Sequence, residues 1–197
     1  MCALRNRGFS LIELLTAIAI IGLIASLAMP SFLNYQRRRA VRTAAAEIRS
    51  MFTLARSRAI TRKRHAGLKF SAAGSEWRYA VCDDGDGDGI RNDDLVKGID
   101  RCSEAPKPVL RETGFATIGL PPDAIIDPDG DPLPPTKPAV QFNASTICSF
   151  SPIGQSTPGT IYLTNRNGDV FAVRVYGTTG KMRVLSYNRA RAKWESR

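Results

Sequence analysis

Histidine is nearly missing from this chain: His65 is the only one in 197 residues. It falls in Arg62-Lys63-Arg64-His65, near the end of a predicted helix, where positive groups suit the carbonyl end of the helix dipole. Also missing are HExxH, the P-loop, the GxSxG elbow and the GxGxxG fingerprint. Zinc hydrolysis, phosphoryl transfer, serine-type hydrolysis and dinucleotide chemistry therefore lack their usual carriers. None of the four cysteines forms a CxxC pair, which argues against zinc clusters and dithiol redox chemistry. There is no internal repeat, and the chain reads as a protein that is not an enzyme and requires no cofactor.

Acidic residues are also in short supply, 18 against 28 Lys and Arg, and the formal charge of +10 is unevenly spread. Residues 37–65 carry ten Arg or Lys against Glu47 alone, residues 66–135 carry seven basic and fourteen acidic side chains, and the last seventeen residues are basic again. Such segregation points to electrostatic partners without naming them. At 43% hydrophobic and 23% charged the composition is that of a folded domain, and the length allows one membrane segment and one domain of modest core.

What the sequence does have is a long apolar run near its start. After Arg5, Arg7 and Gly8, the segment Phe9–Met29 spans twenty-one residues. As a helix it is about 32 Å long, against a hydrocarbon core of about 30 Å. A secretory signal peptide has a shorter core, followed by small residues at its cleavage site. Here the small residue, Gly8, precedes the run, so cleavage there would leave the hydrophobic helix as the mature N-terminus. Glu13 lies inside the run. A carboxylate there costs roughly 2.5–3.5 kcal/mol even on the lenient insertion scale, which marks it as functional. Either it snorkels to the interface from the helix end, or a free amine on Phe9 of a neighbouring subunit neutralises it.

Residues 5–30 resemble the type IV prepilin N-terminal motif: a short basic leader, Gly8 before Phe9, Glu13 as the fifth residue after that point, and Pro30. The resemblance implies that a prepilin peptidase cuts between Gly8 and Phe9 and N-methylates Phe9. It implies that an assembly platform in the inner membrane takes up the helix, and that Glu13 and Pro30 serve packing with other pilins or pseudopilins. It also implies a single-pass protein of the bacterial inner membrane with its C-terminal head in the periplasm. Arg37-Arg38-Arg39 after the helix would reverse that orientation on a positive-inside count; the leader motif takes precedence.

Beyond Pro30, Val41, Ala45, Ile48, Phe52, Ala55 and Ala59 recur at spacings of three and four, one face of an amphipathic helix that should end near Gly67. Pro30 should kink this helix without ending it. Arg42, Arg49, Arg56 and Lys63 form a stripe beside that face, either a solvated flank or a contact for neighbouring subunits or an anionic polymer. Strands are predicted at Gly67–Phe70, Trp77–Cys82 and Val140–Asn143, followed by a meander of Thr160–Thr164, Val170–Tyr176 and Lys181–Tyr187. Asn167-Gly168 is the first turn of the meander and 177–180 the second. Proline-rich 121–138 reads as a surface loop. The expected organisation is a leader at 1–8, a transmembrane helix at 9–30, its amphipathic continuation at 31–66, and a β-rich head with a basic tail at 67–197. The fold class is α+β: a long N-terminal helix, membrane-spanning in its first half, packed on a small antiparallel β-sheet head.

Trp77–Cys82 running into Asp-Gly repeats, Pro108–Arg111, Phe150–Gly154 and Gly180-Lys181-Met182-Arg183-Val184 together resemble the GspH/FimT-type minor pseudopilins, with 83–107 and 121–138 as loop expansions. That resemblance implies a minor subunit at or near the tip of a type II secretion pseudopilus or a type IV pilus. The alternative is a DNA-binding head for DNA uptake. In some FimT-type relatives a basic Gly-Arg-x-Arg sequence near the C-terminus is linked to DNA capture, and Lys181 stands here for its first arginine. Lys181, Arg183, Arg189, Arg191 and Lys193 are the candidate contacts, with Tyr187 and Trp194 available for stacking; a disordered solubilising tail is the other reading.

Cys2 falls in the leader, so three cysteines remain and three pairings are open; Cys82 with Cys102 is the first choice in an oxidising periplasm. Between those two, Asp84, Asp86 and Asp88 alternate before Gly89, the Ile90 carbonyl and Asn92, resembling the first three-quarters of a Ca²⁺ loop. The twelfth position is Leu95, where a bidentate acid is expected. A structural Ca²⁺ and a plain solvated turn both remain open. Asp127–Asp131 reads as a turn.

Overall fold

The computed structural model describes residues 10–74, 76–102, 105–110, 115–165 and 167–196, in two compact units, residues up to Arg37 and Arg38–Arg197. Gly8 and Phe9, the expected cleavage pair, lie outside the described residues. Helix α1 runs Leu11–Arg62, unbroken through Pro30. In the second unit its buried stripe is Val41, Ala44, Ala45, Ile48, Phe52, Ala55 and Ala59, the six positions expected from periodicity together with Ala44. Four of the seven are alanines, whose small side chains let strands approach the helix closely.

The helix stops at Arg62, short of Gly67. Lys63 adopts φ 54°, the Lys63 N–H donates to Ile60 O and the Arg64 N–H to Ala59 O, both at 3.3 Å. This is a Schellman stop built on a lysine where glycine is usual. Gly67 lies instead inside the first strand, where a Cβ would stand 2.4 Å from the Cys148 carbonyl oxygen.

The remaining elements are β1 (Ala66–Ala73), β2 (Glu76–Asp83), α2 (Asn92–Lys97), β3 (Arg101–Cys102), β4 (Lys107–Pro108), β5 (Thr117–Ile118), β6 (Ile125–Ile126) and β7 (Pro132–Leu133). They continue with β8 (Val140–Phe142), β9 (Ile147–Phe150), β10 (Gly159–Thr164), β11 (Val170–Tyr176), β12 (Lys181–Asn188) and β13 (Lys193–Ser196). Every strand pairing is antiparallel. One sheet runs β3-β2-β1-β9, with β4 also on β2; a second runs β13-β12-β11-β10-β5, with β8 also on β10. Leu68 and Phe70 of the first sheet and Ile161, Leu163, Val173 and Val175 of the second share one core with the helix stripe. Phe52 is its hub, with ring centroids 5.8 Å from Phe70, 5.7 Å from Phe142 and 6.3 Å from Phe150.

Alternation along the strands places a second set of apolar residues on the other side of each sheet, and the two supposed loop expansions cover them. Ile90 and Leu95 pack on Ala80, Cys82 and Ile147 of the first sheet. Ile125 and Leu133, in the small β6-β7 ladder, pack with Tyr162, Val170, Ala172 and Leu185 of the second. The segment 121–138 is thus a cover and not a plain surface loop.

Two further expectations need correction. Thr164 pairs with Val170, so the connection spans residues 165–169. Its closure comes from Asn165 Oδ1, which accepts the N–H groups of Asn167 (2.9 Å) and Asp169 (3.2 Å), and not from a two-residue Asn-Gly turn. The basic C-terminus is not a disordered tail: β13 pairs with β12, Trp194 stands opposite Tyr187, and the Trp194 indole donates to Ile126 O at 2.7 Å. Replacing Phe52 by Ala should destabilise the head by about 3–5 kcal/mol. Urea denaturation of a fragment starting at Arg38 measures this; a loss under about 1 kcal/mol would remove Phe52 as the hub.

Candidate functional site

At the start of α1, Ser10 O accepts the Glu13 N–H at 3.1 Å, and Glu13 O accepts the Thr16 hydroxyl at 3.0 Å. Leu11, Ile12, Leu14, Leu15 and Ile18 around Glu13 are all exposed. By length and a mean hydropathy of 2.4 the segment is sufficient to cross a membrane. Among the described residues no cation pairs with the Glu13 carboxylate.

In the head, Cys82 and Cys102 are joined in a disulfide. The register explains the choice: they face each other directly across β2 and β3, while Cys148 lies on β9, beyond β1, with its side chain in the inner core. Burial pushes the Cys148 thiol well above its ordinary pKa, which keeps it inert.

The disulfide closes the acidic loop, and that loop is organised around Asp84. Its Oδ1 accepts the N–H groups of Asp86 (3.1 Å) and Gly87 (2.8 Å); its Oδ2 accepts the Gly89 N–H (3.0 Å) and lies 2.9 Å from His65 Nδ1. Burial on its own would raise this carboxyl, but the three N–H groups and the neighbouring His65 hold it below the ordinary carboxylate range. A carboxylate whose pKa is lowered by folding contributes its full stabilisation above its unfolded pKa of about 3.9, and loses it as pH falls through the lower folded value. Buried Asp100 closes the other side, accepting the N–H groups of Gly85 and Arg91, both at 3.0 Å. Nothing in the sequence pattern singled out Asp100.

Carboxylate oxygens of Asp84, Asp86 and Asp88 lie within 4.8 Å of one another, and Gly89, at φ 100°, makes the sharp turn that a Ca²⁺ loop needs. Leu95 supplies no oxygen and packs on the apolar patch, Asn92 opens α2, and Asp94 is buried near Lys97. The fit extends to the three aspartates, with the Ile90 carbonyl in sequence reach. We propose a structural Ca²⁺ at this loop, held by Asp84, Asp86 and Asp88. Millimolar Ca²⁺ should raise the melting temperature of the head relative to chelator; identical melts would remove the site.

The five C-terminal basic residues do not form one cluster. Lys181 and Arg183 lie at one end of β12; Arg189, Arg191 and Lys193 lie beyond its other end, with Lys193 opposite Asn188. Arg189 pairs with Asp123 at 3.0 Å and Arg191 with Glu195 at 3.8 Å. At the first end, Arg174 stands opposite Arg183, and both guanidinium groups approach the Tyr176 ring, at 5.3 and 5.8 Å. Arg174 is itself bound by both carboxylate oxygens of Asp129 at 2.7 Å, so the turn at 127–131 has a fixed partner.

Arg56, one of the seven-spaced arginines, is half-buried and is not a free contact. It donates to Gly154 O and Thr179 O, each at 3.1 Å, and ties α1 to the two loops that carry the Phe150–Gly154 and Gly180–Val184 sequences. A Cβ on Gly180 would stand 2.1 Å from the Gly154 carbonyl oxygen, so its glycine is a packing requirement.

An apolar N-terminal helix with one acid near its start, continued by an amphipathic stripe under antiparallel sheets, is the form of a pilin-type subunit. Residues 44–180 match the family described as Type II transport protein GspH, and residues 4–29 match the prokaryotic N-terminal methylation motif. The chain belongs to the GspH family, within the type IV pilin and pseudopilin group. It is 42% identical over 53 residues to the type IV major pilin protein PilA of Myxococcus xanthus, covering 27% of this chain and 24% of that protein. Two fimbrial proteins of Pseudomonas aeruginosa are each 40% identical over 52 residues, covering 26% of this chain and 34% of theirs. The chain thus spans only about a quarter to a third of the curated relatives it matches. No solved structure matches it. The matched family and relatives are transport and pilin proteins, not enzymes.

Proposed function

We propose that this chain is a minor pseudopilin or pilin subunit. A prepilin peptidase cuts it between Gly8 and Phe9 and methylates the new Phe9 amine. It waits as a single-pass protein of the inner membrane with its head in the periplasm, and an assembly platform then draws it into a filament at or near the tip. The filament serves type II secretion or type IV pilus biogenesis. The observation that carries this reading is Glu13, an acid placed among exposed apolar residues at the start of α1, five positions after a glycine where cleavage would create a compensating amine.

DNA capture, the alternative suggested by Gly180-Lys181-Met182-Arg183, would have to rest on Lys181 and Arg183 beside Tyr176, since the other three basic residues lie at the far end of β12. A patch that small would neutralise few phosphates. The filament reading does not depend on it.

Replacing Glu13 by Val should leave cleavage of the leader intact and lower the amount of this subunit in sheared filaments about tenfold, a loss of roughly 1.4 kcal/mol in the assembly equilibrium. Immunoblots of membrane and filament fractions measure both quantities; wild-type incorporation of the variant would overturn the role given to Glu13.

A further inference from the structure

We propose that the end of the head that holds Arg38 is a basic platform for anionic phospholipid headgroups, on which the head rests before assembly. The inference rests on the membrane-anchored reading given above.

Contacts along α1 define the two ends of the head. Arg38 lies 3.7 Å from Asp169, in the 165–169 connection. Arg56, about 27 Å further along the helix, holds Gly154 O and Thr179 O. Strands β10, β11 and β12 run between these two levels. Arg189 Nε donates to Gly168 O at 2.8 Å, next to Asp169, and the Arg191 N–H donates to Asn188 O at 3.3 Å. Lys193 faces Asn188 across the ladder. The basic residues of 189–193 therefore join Arg38 at one end, while Lys181 and Arg183 follow Thr179 at the other.

Among the described residues this end sets Arg38, Arg39, Arg42, Arg189, Arg191 and Lys193 against Asp123, Asp169 and Glu195. Each acid is engaged. Asp169 takes Arg38, Asp123 takes Arg189 at 3.0 Å, and Glu195 lies 3.8 Å from Arg191 while accepting Asn188 Nδ2 at 2.8 Å. Arg39, Arg42 and Lys193 are exposed, and no carboxylate pairs with them among the described residues. The next acid along the helix, Glu47, stands about 8 Å beyond Arg42 and is followed by Arg49. Asp127 and Asp129 are taken by Lys137 and Arg174. The end therefore keeps a positive excess after its own pairs are made.

Chain connectivity identifies the partner. The exposed apolar residues of α1 continue to Leu33, and Tyr35 follows, an aromatic with a polar tip of the kind that collects at membrane–water interfaces. Five residues take the chain from Leu33 to Arg38, about 8 Å as helix and at most roughly 18 Å in any conformation. A headgroup layer is itself roughly 5–8 Å deep. Arginine side chains snorkel toward such a layer, and attraction to its charge extends over a Debye length of about 8 Å. The platform is thus tethered within reach of lipid phosphates, an advantage that DNA lacks. Scattered exposed cations need no pocket to meet a charged surface. On the orientation proposed above they also lie where a positive-inside count expects few, and headgroups supply their counter-charge.

The test places the processed full-length chain in nanodiscs of phosphatidylcholine, alone or mixed with phosphatidylglycerol, and follows amide hydrogen exchange. In the anionic discs exchange over 188–193 should slow about fivefold, while residues 177–180 exchange alike in both. Salt at about 1 M should remove the difference. Arg39→Gln, Arg42→Gln and Lys193→Gln together should remove it as well, whereas Lys181→Gln with Arg183→Gln should leave it in place. Chains embedded in both kinds of disc that exchange alike over 188–193 overturn the proposal. So does duplex DNA that slows 188–193 in neutral discs more than phosphatidylglycerol does, which would give these cations to nucleic acid. Chains that enter neither disc overturn the membrane-anchored reading, and the platform with it.

Discussion

One helix has to satisfy two solvents. From Leu11 to Leu33, α1 presents large apolar side chains outward on every side, a surface that water penalises and hydrocarbon accepts. From Val41 to Ala59 the same helix buries a single stripe, rich in alanine, under two sheets, and its other faces carry Arg42, Arg49, Ser50 and Thr53. Neither half could be exchanged for the other. The head core needs a narrow stripe with one aromatic member, Phe52; the N-terminal half needs breadth, and tolerates only one charge, Glu13. That single acid is the point at which the lipid requirement is broken, and the assembly account follows from it.

The head solves its own problem of exposure with the segments 83–107 and 121–138. Each sheet has an apolar outer side, and each segment supplies two aliphatic side chains to cover it, Ile90 with Leu95 and Ile125 with Leu133. The polar parts of these covers are fixed by carboxylates that accept backbone N–H groups: Asp84 and Asp100 in the first, and Asp127, which holds Asp129 and Asp131, in the second. The surplus of acid in the middle of the chain is therefore partly a framework for loops.

Periodicity made the helix stripe legible residue by residue, and β-rich composition between turn residues marked out β10, β11 and β12. Three features resisted. The helix stop at Arg62 uses a left-handed Lys63, and without a glycine the sequence carries no stop signal there. The strand β13 is a short run of charged and aromatic residues whose only apolar anchor, Trp194, finds its place through Tyr187 and Ile126, partners distant in sequence or not yet paired. Arg56 looked like one member of a solvated stripe because its role depends on two carbonyls about a hundred residues away. Cys82 and Cys102 could be favoured but not chosen from spacing alone; the strand register that sets them face to face is a tertiary fact.

The account depends on trimming at Gly8, since only then does a neighbouring chain offer an amine to the Glu13 carboxylate. Intact-mass spectrometry of the protein extracted from membranes that hold its peptidase tests this directly. The account predicts a chain that begins at Phe9 and carries one added methyl group. A chain that still begins at Met1 would contradict it.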